Sequence, residues 1–160
     1  MALGHSGPLG RALLGGTLLT GTLLAGCSRP PTLSESARRL NADTRSVFTE
    51  SARRLSEPGA TPTTLADTTV PCADGLRRKV YRGRLPLRRG ASTSVTLDHA
   101  ATVTLELIRE RGYRLEQPPS PRRRTFTMAR DVPEVRLTVR LGGGRQPVLV
   151  LEGSTPCLPE

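Results

Sequence analysis

Hydrophobic positions along the chain change their period several times, and each change marks an element. Leu33, Ala37, Leu40, Val47, Phe48, Ala52 and Leu55 follow a mostly helical rhythm, which predicts one amphipathic helix over 33–56. Thr32 followed by Glu35 has the spacing of a capping box, and Pro58 with Gly59 stops the run. Within this stretch the segment Glu35 to Leu40 (ESARRL) recurs as Glu50 to Leu55, offset by 15 residues. That offset is about four helical turns, so both copies lie near one angular position. Two copies of so short a unit do not make a solenoid. The helix is expected to pack against its own domain, the alternative being a helix that binds a partner. Residues 57–71 (EPGATPTTLADTTVP) read as a Pro/Thr-rich connector.

Past Cys72, Asp74 and Gly75 mark a turn, and residues 79–87 read as a strand in which Pro86 suggests a sheet edge or an early ending. Leu97, Ala100, Ala101, Leu105, Leu107 and Ile108 share one face of a second helix over 96–111, with Gly112 where a left-handed C-cap belongs. Tyr113 to Leu115 leaves that helix, and 116–124 (EQPPSPRRR) reads as a Pro/Arg loop. Residues 125–130 present Phe126 and Met128 on one side of a strand. In 134–141, Val135, Leu137, Val139 and Leu141 alternate with Arg136, Thr138 and Arg140. After Gly142 to Gly144, residues 148–151 are apolar on both faces, as in a covered strand. The order α-β-α-β-β-β predicts an α+β fold: a four-stranded, mainly antiparallel sheet with two helices packed on one face. The domain is expected to span 72–160.

The first 26 residues have a different character. Arg11 precedes an apolar stretch, Ala12 to Ala25, whose 14 residues suit a signal-peptide core and fall short of the ~20 needed to cross a bilayer. It ends in Leu24, Ala25, Gly26 and Cys27, which resembles the lipobox of bacterial lipoproteins. That resemblance implies removal of 1–26, thioether lipidation of Cys27, a short tether over 27–32, and anchoring on the outer face of the cell membrane. Two acyl chains hold a protein far more durably than one. A wider set of features resembles small, little-characterised lipoproteins of high-GC Gram-positive bacteria: the helix and its Pro/Gly break, Val70-Pro71-Cys72, Arg111-Gly112-Tyr113, the strand with Phe126 and Met128, and Ser154 to Cys157. This second resemblance implies fold and location and carries no catalytic residues. With Cys27 consumed by lipid, Cys72 and Cys157 are an even pair in an oxidising compartment, expected to form a disulfide. Two unpaired buried thiols are the alternative.

Composition narrows the chemistry. The chain has 24 Lys+Arg against 14 Asp+Glu, a formal charge of +10, and its only lysine is Lys79. Phe48, Phe126, Tyr81 and Tyr113 are its only aromatics, and His5 and His99 its only histidines. A multi-histidine metal site, a stacking platform for nucleic acid and a large enzyme are excluded, and no cofactor is expected. His99 lies beside Asp98, but neighbours on a helix point about 100° apart, which is poor geometry for that Asp to orient that His. Glu106 and Glu110 are a helical i,i+4 pair open to arginines or solvent. Gly142 to Gly144 lacks the Lys-Ser/Thr of a phosphate loop and reads as a hairpin. Period two places Arg136 and Arg140 opposite the helices, with Arg82 and Arg84 of the first strand on the same side. Four guanidinium groups there are expected to repel one another and to favour an anionic ligand: acidic wall polymer, anionic lipid or an acidic protein. The expectation is a membrane-anchored envelope protein with a small non-catalytic interaction domain. The alternatives are a small envelope enzyme or a carrier of a ligand or lipid.

Overall fold

The computed structural model describes residues 31–119 and 124–160. The segment read as a leader, 1–26, the lipobox-like stretch ending at Cys27, and Arg122 and Arg123 lie outside the described residues. Helix α1 runs over Leu33–Leu55 and helix α2 over Thr93–Arg109. Six strands accompany them: β1 Thr63–Pro71, β2 Arg77–Pro86, β3 Arg114–Gln117, β4 Thr125–Asp131, β5 Glu134–Gly142 and β6 Val148–Ser154. They form one antiparallel sheet in the order β1-β2-β6-β5-β4-β3.

The fold is α+β, but the expected four-stranded sheet is wrong by two strands. β1 occupies the segment read as a connector over 57–71. Its threonines and Val70 suit extended backbone, yet as an edge strand it is wetted on both faces and shows no apolar alternation. Eight of its nine residues pair with β2, from Thr63 opposite Arg84 to Pro71 opposite Arg77, with Leu65 left out at a bulge. β3 lies partly within the segment read as a Pro/Arg loop. It is four residues long with one inward residue, Leu115, too short for periodicity to register. Strand β2, which Pro86 made a candidate edge, is internal between β1 and β6, and Pro86 is simply its last residue.

Helix α1 begins where its capping box predicts, whereas α2, expected over 96–111, spans Thr93–Arg109. Thr32 Oγ1 accepts from Glu35 N at 3.2 Å, and Ser92 Oγ accepts from Val95 N at 3.2 Å, starting α2 three residues earlier than its apolar face suggests. Gly112 sits at φ 83°, the left-handed conformation that lets the chain leave α2 and enter β3. Leu40, Val47 and Phe48 of α1 pack with Leu97, Leu107 and Ile108 of α2 over Leu85, Leu137, Val139, Leu149 and Leu151 of the sheet. The apolar stripe of α1 is therefore spent on its own domain. Gly153 and Gly83 allow the close approach. A Cβ at Gly153 would collide with Leu40 and lie 3.0 Å from Leu137 Cδ2, and one at Gly83 would lie 2.7 Å from Phe48 Cε2. Among the described residues the buried hydrophobic ones run from Leu33 to Leu151, and Thr155 is the last buried residue.

Cys72 and Cys157 form a disulfide with Cα atoms 6.1 Å apart. It joins the segment between β1 and β2 to the C-terminal tail. Beside it, Arg77 N donates to Leu158 O at 2.9 Å and Leu158 N to Arg77 O at 2.8 Å.

Candidate interaction face of the sheet

Because both helices lie on one side of the sheet, alternate residues of every strand project from the other side. On β2 these are Arg78, Val80, Arg82 and Arg84; on β6, Val150, Glu152 and Ser154; on β5, Arg136, Thr138 and Arg140. The four arginines predicted to share this face do share it, and the strand order explains their spacing. β6 separates β2 from β5, so Arg82 faces Glu152, and Arg84 and Arg140 flank Val150 from opposite sides.

The expected self-repulsion is overturned by the carboxylates that this order inserts. Glu152 lies between two of the arginines, with Oε1 3.2 Å from Arg82 Nε and Oε2 3.1 Å from Arg140 Nη2. From the far edge Glu116 takes two nitrogens of a third: Arg136 Nε donates to Oε2 at 2.8 Å and Nη2 to Oε1 at 2.9 Å. Arg114 of β3 pairs with Asp131 of β4. Among the described residues Arg84 and Arg78 have no ion-pair partner. Six arginines on the face thus meet four carboxylates, since exposed Glu134 shares the outward side of β5 with Arg136 and Arg140, leaving a positive excess whose guanidinium groups are mostly held in place. Each exposed pair is worth only ~0–1 kcal/mol, so their main effect here is geometric. A shallow concavity of ≈ 370 Å³ lies among Arg78, Val80, Arg82, Arg136, Thr138 and Glu152.

The other candidate groups are dispersed. His99 is exposed on α2, where it lines a cleft with Arg54, Arg88 and Arg89. Asp98 does not orient it: Oδ1 accepts from Arg124 Nε at 3.1 Å and Oδ2 from Ser94 Oγ at 3.3 Å. Glu110 caps the end of α2 through its own backbone N–H, which donates to Glu106 O. Gly142 to Gly144 lies in the β5–β6 hairpin, with Gly144 at φ 125°. No group of three His, Cys, Asp or Glu suited to a metal ion occurs among the described residues. Nor is any described helix long and apolar enough to cross a membrane.

Two polar features escaped the sequence reading. Asp43, on the buried side of α1, accepts from Tyr113 Oη at 2.9 Å and from Arg39 Nε at 2.8 Å. Burial foremost, then the charge and hydrogen bond of Asp43, hold the Tyr113 hydroxyl well above its ordinary titration range. The second is a cleft of ≈ 320 Å³ between α1 and β1, lined by Asn41, Arg45, Phe48, Thr64, Asp67 and Tyr81 among others. Its only sequence signal was a run of polar residues, Asn41, Thr44 and Arg45, interrupting the apolar stripe of α1.

These features define a two-layer α+β domain with one helix-covered and one open sheet face. In comparisons with protein-family models, curated proteins and solved structures, the chain matches none.

Proposed function

We propose that this chain is an envelope lipoprotein, anchored through lipidated Cys27 to the outer face of the cell membrane, whose α+β domain is a non-catalytic module recognising an acidic wall polymer. The observation that carries the reading is the open sheet face. It gathers six arginines against four carboxylates and fixes four of those arginines by ion pairs. A surface with pre-positioned guanidinium groups loses less side-chain entropy when it meets an anion than one with free arginines. The Cys72–Cys157 disulfide suits an oxidising, extracytoplasmic compartment. Anchoring rests on the resemblance of Leu24 to Cys27 to a lipobox.

Two experiments test the two halves of the reading. Intact-mass analysis of membrane-extracted protein should find a chain beginning at Cys27 with a diacylglyceryl adduct that Cys27→Ser abolishes. An unmodified chain retaining 1–26 would refute the anchor. For recognition, the chain from Ser28 onward retains every buried residue among those described and can be co-sedimented with cell wall or with anionic liposomes. Wall binding should fall when Arg82, Arg84, Arg136 and Arg140 are all changed to Gln. It should also weaken with added salt, since exposed charges are screened over ~8–10 Å at ordinary ionic strength. Glu152→Gln should instead strengthen it, because removing a negative charge from the middle of the face outweighs the lost positioning of Arg82 and Arg140. Equal retention of all three proteins at low salt removes the face from consideration, and selective binding to liposomes assigns it to lipid.

A further inference from the structure

The cleft between α1 and β1 lies on the helix-covered side of the sheet, away from the open face. β1 extends the sheet beyond the cover of α1, and the space left between them is walled by Phe48 and Pro62 and otherwise by polar groups. Tyr81, Asn41 and Arg45 are among those that lack partners. Tyr81 is 9 % exposed, with its ring packed against Phe48 at 6.1 Å between centroids, yet its hydroxyl has no hydrogen-bond partner among the described residues. Asn41 Oδ1 is buried and likewise unpartnered. Arg45 is exposed at the rim, and its guanidinium has neither ion pair nor hydrogen bond among the described residues. On the opposite wall Asp67 is engaged, with Oδ1 2.5 Å from Lys79 Nζ.

A buried polar atom without a partner is costly, and Asn41 Oδ1 is such an atom, whereas the Tyr81 hydroxyl and the Arg45 guanidinium are free to turn to a ligand. Asn41 Oδ1 needs a donor. The Tyr81 hydroxyl is free to donate its proton to an acceptor. An alcohol hydroxyl supplies both roles, and Arg45 adds a requirement for an anion. Asp67, although engaged by Lys79, keeps some negative potential nearby, which favours a singly charged carboxylate over a dianionic phosphate. The volume is at the low end for ligand pockets, enough for one small molecule and not for a lipid chain.

We propose that this cleft is a binding site for a small polyhydroxylated carboxylate, of the sugar-acid type. Its carboxylate pairs with Arg45, one hydroxyl donates to Asn41 Oδ1, and another oxygen accepts from Tyr81 Oη. The site is independent of the open face and of lipid anchoring, so either can fail without the other.

The test is titration of the chain from Ser28 onward with D-glucuronate, followed by NMR and calorimetry. D-Glucose serves as the probe without charge and acetate as the probe without hydroxyls. Glucuronate should bind saturably at millimolar concentration and shift the side-chain amide of Asn41 and the ring signals of Tyr81. Glucose and acetate should each bind about tenfold more weakly or not at all. Arg45→Gln and Tyr81→Phe should each weaken glucuronate binding about tenfold, without changing the thermal midpoint of the free protein by more than a few degrees. Arg45 is exposed and Tyr81→Phe keeps the ring, so neither change threatens the fold. If glucuronate moves no signal in the cleft, or binds equally well to both variants, the cleft holds water only and the proposal is overturned.

Discussion

Replacing both Cys72 and Cys157 with Ser separates what holds the native state from what restricts the unfolded one. The two cysteines are 85 residues apart, and the chain between them contains α2 and every strand except β1. Cross-linking a loop of that length removes about 15 cal/mol/K of chain entropy from the unfolded ensemble, or roughly 4.5 kcal/mol at room temperature. The native state loses little by comparison. Cys157 is exposed, and the tail is held by the two backbone bonds between Arg77 and Leu158 and by the Arg77–Glu160 ion pair at 2.5 Å. Urea unfolding of the chain from Ser28, oxidised against Cys72→Ser/Cys157→Ser, should show a loss of roughly 3–5 kcal/mol. The slope with urea should rise, because an uncrosslinked unfolded chain exposes more surface. Amide spectra of the two folded proteins should differ only near the tail. Since whole domains are stable by about 5–15 kcal/mol, the reduced protein would approach the folding threshold, making an oxidising compartment a condition of folding. A loss below about 1 kcal/mol with unchanged native spectra would refute the argument, because the crosslink would then not restrict the unfolded chain.

Other perturbations address the interior. Tyr113→Phe removes one of the two side-chain donors to the buried Asp43 carboxylate and should cost about 1.5–3 kcal/mol in urea unfolding. Because burial and Asp43 raise the folded-state value of Tyr113, its contribution is fully present below the unfolded value near pH ~10 and is lost as pH rises beyond it. The stability gap between wild type and Tyr113→Phe should therefore narrow above that pH, and a gap independent of pH would contradict the assignment. Gly153→Ala drives a methyl group into Leu40 and against Leu137, where helix and sheet meet, and should cost about 1–3 kcal/mol in thermal or urea unfolding.

What the sequence reveals of this fold follows from how each element is buried. α1, α2, β4 and β5 each bury one face, so their apolar residues recur with the period of the element and their positions could be read directly. β1 buries almost nothing. Its partner is a backbone, and backbone pairing leaves no trace in side-chain polarity, so Thr63 to Pro71 resembles a linker until β2 is placed beside it. β3 is hidden for another reason: Leu115 is its sole inward apolar residue. The cysteines were legible because parity and compartment leave few arrangements, and Pro71 and Pro156 place both just outside the sheet.

The open face shows where local pattern stops being sufficient. Alternation assigns Arg82, Arg84, Arg136 and Arg140 to one side of their strands without knowledge of which strands are neighbours. Their electrostatics depend on exactly that knowledge. Residues 148–151 read as a strand apolar on both faces, but β6 continues to Ser154, and its outward positions are Val148, Val150, Glu152 and Ser154. Insertion of β6 between β2 and β5 brings Glu152 within ion-pairing distance of arginines on both sides. Glu116 reaches Arg136 across β4 only because β3 joins the far edge. Net charge is therefore a poor guide to the potential at this surface, because two of its compensating carboxylates belong to strand segments that polarity did not mark. The positive excess that survives the pairing is concentrated at Arg84 and Arg78, which makes those two positions, more than the paired arginines, the place where an anion would first gain contact.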